Sequence, residues 1–201
     1  MKIVLASNNP GKLVELQAMF APLGVDLVTQ GSLGIPEAAE PFHTFIENAL
    51  AKARHAAQHS GLPAVADDAG LCVDAFGGLP GVQTAYYATQ FGYAKSDDNN
   101  VRALLEQMQD VDNRRAAMVS TLVAVRSAAD PEPLVAVGRV VGEIARAPIG
   151  SNGFGFDPVM FIPEFGQTFA QLPIEVKNAN SHRGRSAQAI AALIREHWLA
   201  T

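Results

Sequence analysis

Four polar clusters in this chain carry the residue types of phosphate chemistry: "SNNPGK" at 7–12, Glu37 and Glu40 ahead of a helix, the pair Asp67 and Asp68, and "KNANSHRG" at 177–184. With the helix after Glu40 they supply Lys12, Lys52, Lys177, His182 and Arg183 as donors, and Glu40, Asp67 and Asp68 as acceptors. Carboxylates beside cations, without cysteine ligands, point to magnesium and phosphate, because Mg²⁺ takes one or two hard oxygens from protein and fills its shell with phosphate and water. A zinc hydrolase would call for more histidines.

In "SNNPGK", Asn9 suits a helix N-cap, Pro10 the first helical position, and Gly11 lets a ligand approach the backbone closely. Unpaired N–H groups and the positive end of the helix dipole favour an anion there, and Lys12 adds a full charge beside it. The loop is not a Walker A motif: Ala6 stands where its first glycine belongs and Leu13 where its Ser/Thr belongs.

The elements that must hold these clusters follow from hydrophobic period. "KIVLA" at 2–6 reads as a buried strand, "KLVELQAMF" at 12–20 as a helix with Leu13, Leu16 and Phe20 on one face, and "VDLVT" as a second strand. Thr44 and Glu47 form a capping-box signature that opens a helix through about residue 59, carrying Lys52. "PAVA" at 63–66 is a strand expected to end abruptly at Asp67 and Asp68, where ligands meet a sheet. The stretch 74–88, rich in glycine and aromatics, is expected as a folded loop on which its tyrosines pack. Val101, Leu104, Leu105 and Met108 mark another helix. "AAMVSTLVAV" and "PLVAVGRVVGEIA" are expected to pair antiparallel and form a β-rich lobe at about 115–147 within a single domain of 1–201. "SNGFGFDPVMFIP" returns the chain to a strand, and a helix from Ser186 ends the chain.

Composition bounds the rest. With 201 residues, 48% hydrophobic and 17% charged, the chain can bury a full core. A net charge of −5 argues against a nucleic-acid binder, so a basic site must be local. Cys72 is the single cysteine, which excludes an internal disulfide and fits a reducing, cytoplasmic setting. No apolar run approaches the length of a membrane span, and no signal-peptide core is expected.

Taken in order, "SNNPGK", "TFIENALAKA", "ADDAGLCVDAFGGLPGV", "GFGFDP" and "NSHRG" closely resemble the inosine triphosphate pyrophosphatase family, from residue 2 to the C-terminal helix. The resemblance implies hydrolysis of non-standard purine nucleoside triphosphates (ITP, dITP, XTP) to the monophosphate and pyrophosphate, with Mg²⁺. It implies a mixed α/β sheet with flanking helices and two lobes around a central nucleotide cleft, usually as a homodimer. By the same resemblance, Ser7, Asn8, Asn9, Pro10, Gly11 and Lys12 form a triphosphate loop, and Lys12 and Lys52 act on the phosphates. Glu40 and Asp68 are the magnesium-linked carboxylates, and Asp68 is the base for water, with Asp67 or Glu40 the alternatives. Ala69, Phe154, Gly155, Phe156, Asp157, Lys177, His182 and Arg183 bind the rest of the substrate. Four positions depart from the family pattern: Ala69 and Thr84 where serines are usual, Tyr86 where arginine is, and Met118 where an aromatic is common. The rival readings are a Maf-like nucleotide pyrophosphatase of other base preference and a nucleotide binder without turnover.

Overall fold

A computed structural model describes residues 1–200. It is a mixed α/β fold in which one seven-stranded sheet runs in the order β2-β1-β3-β4-β5-β6-β7, with helices flanking it. The strands are β1 (Lys2–Leu5), β2 (Asp26–Thr29), β3 (Ala64–Val73), β4 (Arg115–Val125), β5 (Leu134–Ile144), β6 (Met160–Ile162) and β7 (Gln167–Thr168). The helices are α1 (Pro10–Phe20), α2 (Phe45–Ser60), α3 (Asp97–Gln107), α4 (Ile174–Asn180) and α5 (His182–Ile194). Among the described residues no helix is long and apolar enough to cross a membrane.

Contacts divide the chain into two compact units. The first comprises Met1–Asp68, Ser120–Gly138 and the chain from His182 onward. Here β1 lies parallel to both β2 and β3, and the pleat sorts side chains by parity. Ile3, Leu5 and Val65 pack with Leu122, Ala124, Leu134 and Ala136 against Leu16 and Phe20 of α1 and Ile190 and Ile194 of α5. Val4, Ala6, Ala64 and Ala66 face the other way, against Ala49, Ala53, Ala56 and Ala57 of α2. The alanine stripe leaves little bulk under α2, so the helix lies close to the strands.

The second unit comprises Ala69–Val119 and Arg139–Ser181. Its core gathers Leu71, Val73, Leu104, Met108, Phe156, Met160 and Phe169. The stretch expected as a folded loop contains a 3-10 helix, Gly81–Phe91, clamped by Asn100, which accepts from Ala88 N at 2.8 Å and donates to Ala85 O at 3.2 Å. Tyr87 is buried there, whereas Tyr86 is half exposed with the Lys95 ammonium 3.9 Å from its ring centroid.

Three expectations need correction. β3 does not stop at Asp67 and Asp68 but runs on to Val73. β4 and β5 do not form a lobe of their own; they occupy the middle of the sheet, and each contributes residues to both units. The last helix starts at His182, four residues earlier than Ser186, because Ser181 adopts an extended conformation (ψ 163°) and the polar "HRG" forms its first turn.

Gly138 is what lets that first turn sit on β5. A Cβ at this position would lie 1.9 Å from the His182 carbonyl oxygen and 2.6 Å from the Ser186 nitrogen, both backbone atoms that cannot swing aside. Gly138→Ala is therefore expected to cost about 1–3 kcal/mol as an overpacked contact, lowering the melting temperature in differential scanning calorimetry by roughly 2–12 °C for a chain of this size.

Candidate active site

The sequence "SNNPGK" folds as a capped helix start. Asn9 Oδ1 accepts from the N–H groups of Gly11 (2.9 Å) and Lys12 (3.2 Å), Pro10 takes the first helical position, and Ser7 Oγ accepts from Asn9 N (3.2 Å). The expectation of unpaired amides at this helix end is thus corrected: the Asn9 cap already satisfies the two it reaches. Anion affinity here rests on the helix dipole and on side chains. Asn8 is exposed and donates from Nδ2 to Glu37 Oε1 at 3.3 Å.

β1 ends at Leu5 and pairs with β3 only at Val4↔Ala64 and Leu5↔Val65. Asp67 and Asp68 therefore lie within β3 yet beyond the carboxyl end of β1, where the 7–12 loop departs. Being adjacent in a strand, they point to opposite faces, and each meets a different chemistry.

Asp67 turns to the face of α1 and α5. Its Oδ2 holds the Lys12 ammonium at 2.8 Å and Arg183 Nε at 3.1 Å, while its Oδ1 accepts from Ser120 Oγ at 2.6 Å. Lys12 Nζ also donates to the Asp67 carbonyl at 3.3 Å. Burial alone would raise the Asp67 pKa; Lys12, Arg183 and the Ser120 hydroxyl outweigh it and hold the carboxyl far below the usual range. Such a group is a fixed anion and cannot serve as a base near neutral pH.

Asp68 turns to α2. Its Oδ1 accepts from Lys52 Nζ at 3.1 Å, and the same ammonium reaches Glu40 Oε2 at 2.9 Å. Asp68 Oδ2 is buried and has no hydrogen-bond partner. Burial, with a smaller push from Glu40, raises the carboxyl to about 6 against the pull of Lys52. Burial opposes the Lys52 charge, but Asp68 and Glu40 outweigh it and keep the ammonium protonated. Lys52 lies on the buried stripe of α2 with Asn48, whose amide grips the Phe42 backbone at both N (3.1 Å) and O (3.2 Å) and so anchors the loop that presents Glu40.

Charge differs across the strand. On one face two cations, Lys12 and Arg183, converge on the carboxylate of Asp67. On the other face two carboxylates, Glu40 and Asp68, share one lysine, leaving one negative charge when both are ionised. Among the described residues no three His, Cys, Asp or Glu side chains gather into a metal cage. A metal on the negative face would use two hard carboxylates, one of them with an unsatisfied buried oxygen, which fits magnesium.

In the second unit, Asp157 Oδ2 accepts from Lys177 Nζ (2.7 Å) and from Phe154 N (2.9 Å), an ion pair buried on both sides. Gly153, at φ +78°, is the residue this turn needs, since a Cβ would fall 2.0 Å from Asp157 Oδ2. The Phe154 ring is 36% exposed, and Lys177 Nζ lies 5.0 Å from its centroid. Gly155 N donates to Asp97 Oδ2 at 2.8 Å. Phe156, expected at the substrate, is instead a core residue at 1% exposure, because the turn that exposes Phe154 buries the aromatic two residues on. Ala69 is half buried in β3, and Thr84 keeps a hydroxyl that accepts from Leu71 N (2.8 Å) and donates to Gly81 O (2.5 Å).

Ser120, Ser186 and Asn48 escaped the sequence analysis. Ser120 left a signal: it is a polar residue interrupting the apolar run of β4.

The two aspartates differ in a measurable way. Asp67→Asn removes the buried carboxylate that pairs with buried Arg183 and part-buried Lys12 and is expected to cost about 3–5 kcal/mol, whereas Asp68→Asn removes a carboxylate that burial opposes and should leave the protein at least as stable at pH 7–8. Because the folded-state pKa of Asp67 is depressed, its contribution is full above its unfolded value near 3.8 and fades as pH falls below it. Chemical denaturation of wild type between pH 3 and 7 should show that acid loss, and Asp67→Asn should show a shallower one.

Comparison with known proteins places these residues in context. A model of the Ham1 family matches residues 3–193. A dITP/XTP pyrophosphatase of Albidiferax ferrireducens is 83% identical over 199 residues, covering 99% of this chain and 100% of the relative. The dITP/XTP pyrophosphatase of Paracidovorax citrulli is 78% identical over 198 residues, covering 98% and 100%. Among solved structures, a HAM1 protein from Coxiella burnetii superposes with a TM-score of 0.91 at 39% identity, covering 98% of this chain and 99% of its own.

Proposed function

The chain belongs to the Ham1 family, and from that premise we propose that it hydrolyses the non-standard purine nucleoside triphosphates dITP, ITP and XTP to the monophosphate and pyrophosphate, a reading supported by relatives named dITP/XTP pyrophosphatases. The observation that carries this proposal is the opposite setting of two neighbouring carboxylates: Asp67 locked as an anion between Lys12 and Arg183, and Asp68 raised to about 6 beside Lys52 with one oxygen unsatisfied.

Phosphoryl transfer demands positioning and charge neutralisation more than covalent chemistry. Lys12, at the start of α1, meets the triphosphate, with Ser7 and Asn8 as neutral donors beside it. Glu40 and Asp68 would hold a magnesium ion, which supplies positive charge against the phosphate oxygens. Lys52 spaces those two carboxylates and keeps its own proton as a phosphate donor. Asp68, raised toward neutrality and with one oxygen unsatisfied, accepts the proton of the attacking water. For the base, Arg183 and His182 present donors to the 6-oxo group of hypoxanthine or xanthine, where adenine would oppose them with an amino donor. In the second unit, Phe154 is part-exposed and suited to stacking on a ligand, and Asp157 holds Lys177 beside it.

Pyrophosphate, not orthophosphate, is the expected first product from ITP and dITP in a coupled assay with magnesium, and ATP and GTP should be far poorer substrates. Asp68→Asn should bind ITP in calorimetry yet lose about 10²-fold or more in kcat; recovery of wild-type kcat at saturating magnesium would make Asp68 a metal ligand alone. Arg183→Ala should lower kcat/KM for both ITP and ATP but ITP more, narrowing their ratio. An unchanged ratio would confine Arg183 to its contact with Asp67.

A further inference from the structure

We infer that Ser120 and Ser186 are positioning residues for this hydrolysis, acting through Asp67, whose carboxylate couples the lysine of the phosphate loop to the arginine of the purine contact. The inference rests on the roles of Lys12 and Arg183 proposed above.

All three side chains are buried, with Ser120 and Ser186 both at 0% exposure. Ser120 Oγ lies 2.6 Å from Asp67 Oδ1 and 2.8 Å from Ser186 Oγ, and Ser186 Oγ lies 3.1 Å from the Arg183 carbonyl. With Lys12 and Arg183 both on Asp67 Oδ2, Ser120 donates to Oδ1 at 2.6 Å and spends its only hydrogen on that carboxylate. The single hydrogen of Ser186 has two acceptors in reach, Ser120 Oγ at 2.8 Å and the Arg183 carbonyl at 3.1 Å; directed at the nearer one, it completes a chain from Ser186 to Ser120 to Asp67, each bond polarising the next. This fixes the one loose torsion of Asp67. The carboxylate group otherwise turns in a broad well; held at Oδ1, it keeps Oδ2 aimed at Lys12 and Arg183 together. Ser186 stands three residues after Arg183 on the same helix face, so the relay and the arginine share one rigid support.

The test compares wild type, Ser120→Ala, Ser186→Ala and the double variant in steady-state ITP and ATP hydrolysis, below the melting temperature of each. Ser120→Ala should lower kcat/KM for ITP about tenfold, the effect of losing one hydrogen bond to a charged group. The loss should fall mainly on KM and narrow the ITP to ATP ratio. Ser186→Ala, which leaves the Ser120 bond in place and is the safer variant for folding, should move the same quantities less. The double variant should lose about as much as Ser120→Ala, because the hydrogen-bond path from Ser186 to Asp67 Oδ1 runs through Ser120. Ser120→Thr, which keeps the hydroxyl, should restore most of the loss. Additive losses, or a lowered melting temperature with kcat/KM and the ratio unchanged, would overturn the inference while leaving the proposed function intact. A wild type that releases no pyrophosphate from ITP would instead overturn that function and the inference with it.

Discussion

A carboxylate at full burial must be paired, and the pairing of Asp67 with Lys12 and Arg183 organises everything around it. Its partners come from three separate pieces of chain: Lys12 from the start of α1, Arg183 from the start of α5 and Ser120 from β4. Each of those elements also buries apolar side chains in the same cluster as Val65, two residues before Asp67. The polar knot thus sits at the end of the hydrophobic layer, with its fully buried carboxylate shared among three partners.

The opposite face of β3 is built to do the reverse. Small alanines bring α2 near the sheet, so Asp68 is desolvated, yet it is given one shared ammonium rather than two dedicated cations. Burial then wins, and the carboxyl is raised instead of lowered. A site that keeps a carboxylate in that condition costs stability, which Asp67 and the surrounding core offset.

Much of this was legible in the residues. The Asn9 and Thr44 caps have chemical signatures that act within four residues, and the apolar periods of β1, α2 and α3 report local geometry. The chemistry-bearing side chains Lys12, Glu40, Lys52, Asp67 and Asp68 stood out because charged residues flanked buried strands. What the sequence concealed depends on distant contacts. The extension of β3 through two aspartates is stabilised by cations 16, 55 and 116 positions away along the chain, which no local propensity registers. The early start of α5 needs Gly138, 44 residues before His182, to admit its backbone. Ser120 looked like an ordinary interruption of an apolar strand until Asp67 was placed beside it. Phe156 carried the family's motif but not its exposure, since a turn decides which of two nearby aromatics points inward.

The pleat also makes register a functional quantity. β1 and β3 are held at Val4↔Ala64 and Leu5↔Val65, with apolar side chains on both faces. A slip of one residue in β3 would exchange its faces. Asp68 would then turn toward Lys12 and Arg183, and Asp67 toward Lys52 and Glu40, while Val65 would be pressed against the close-fitting alanines of α2. The parity of β3 against β1 therefore fixes which aspartate becomes the anchored anion and which is left with an open oxygen, so that strand register upstream decides the protonation chemistry of the site.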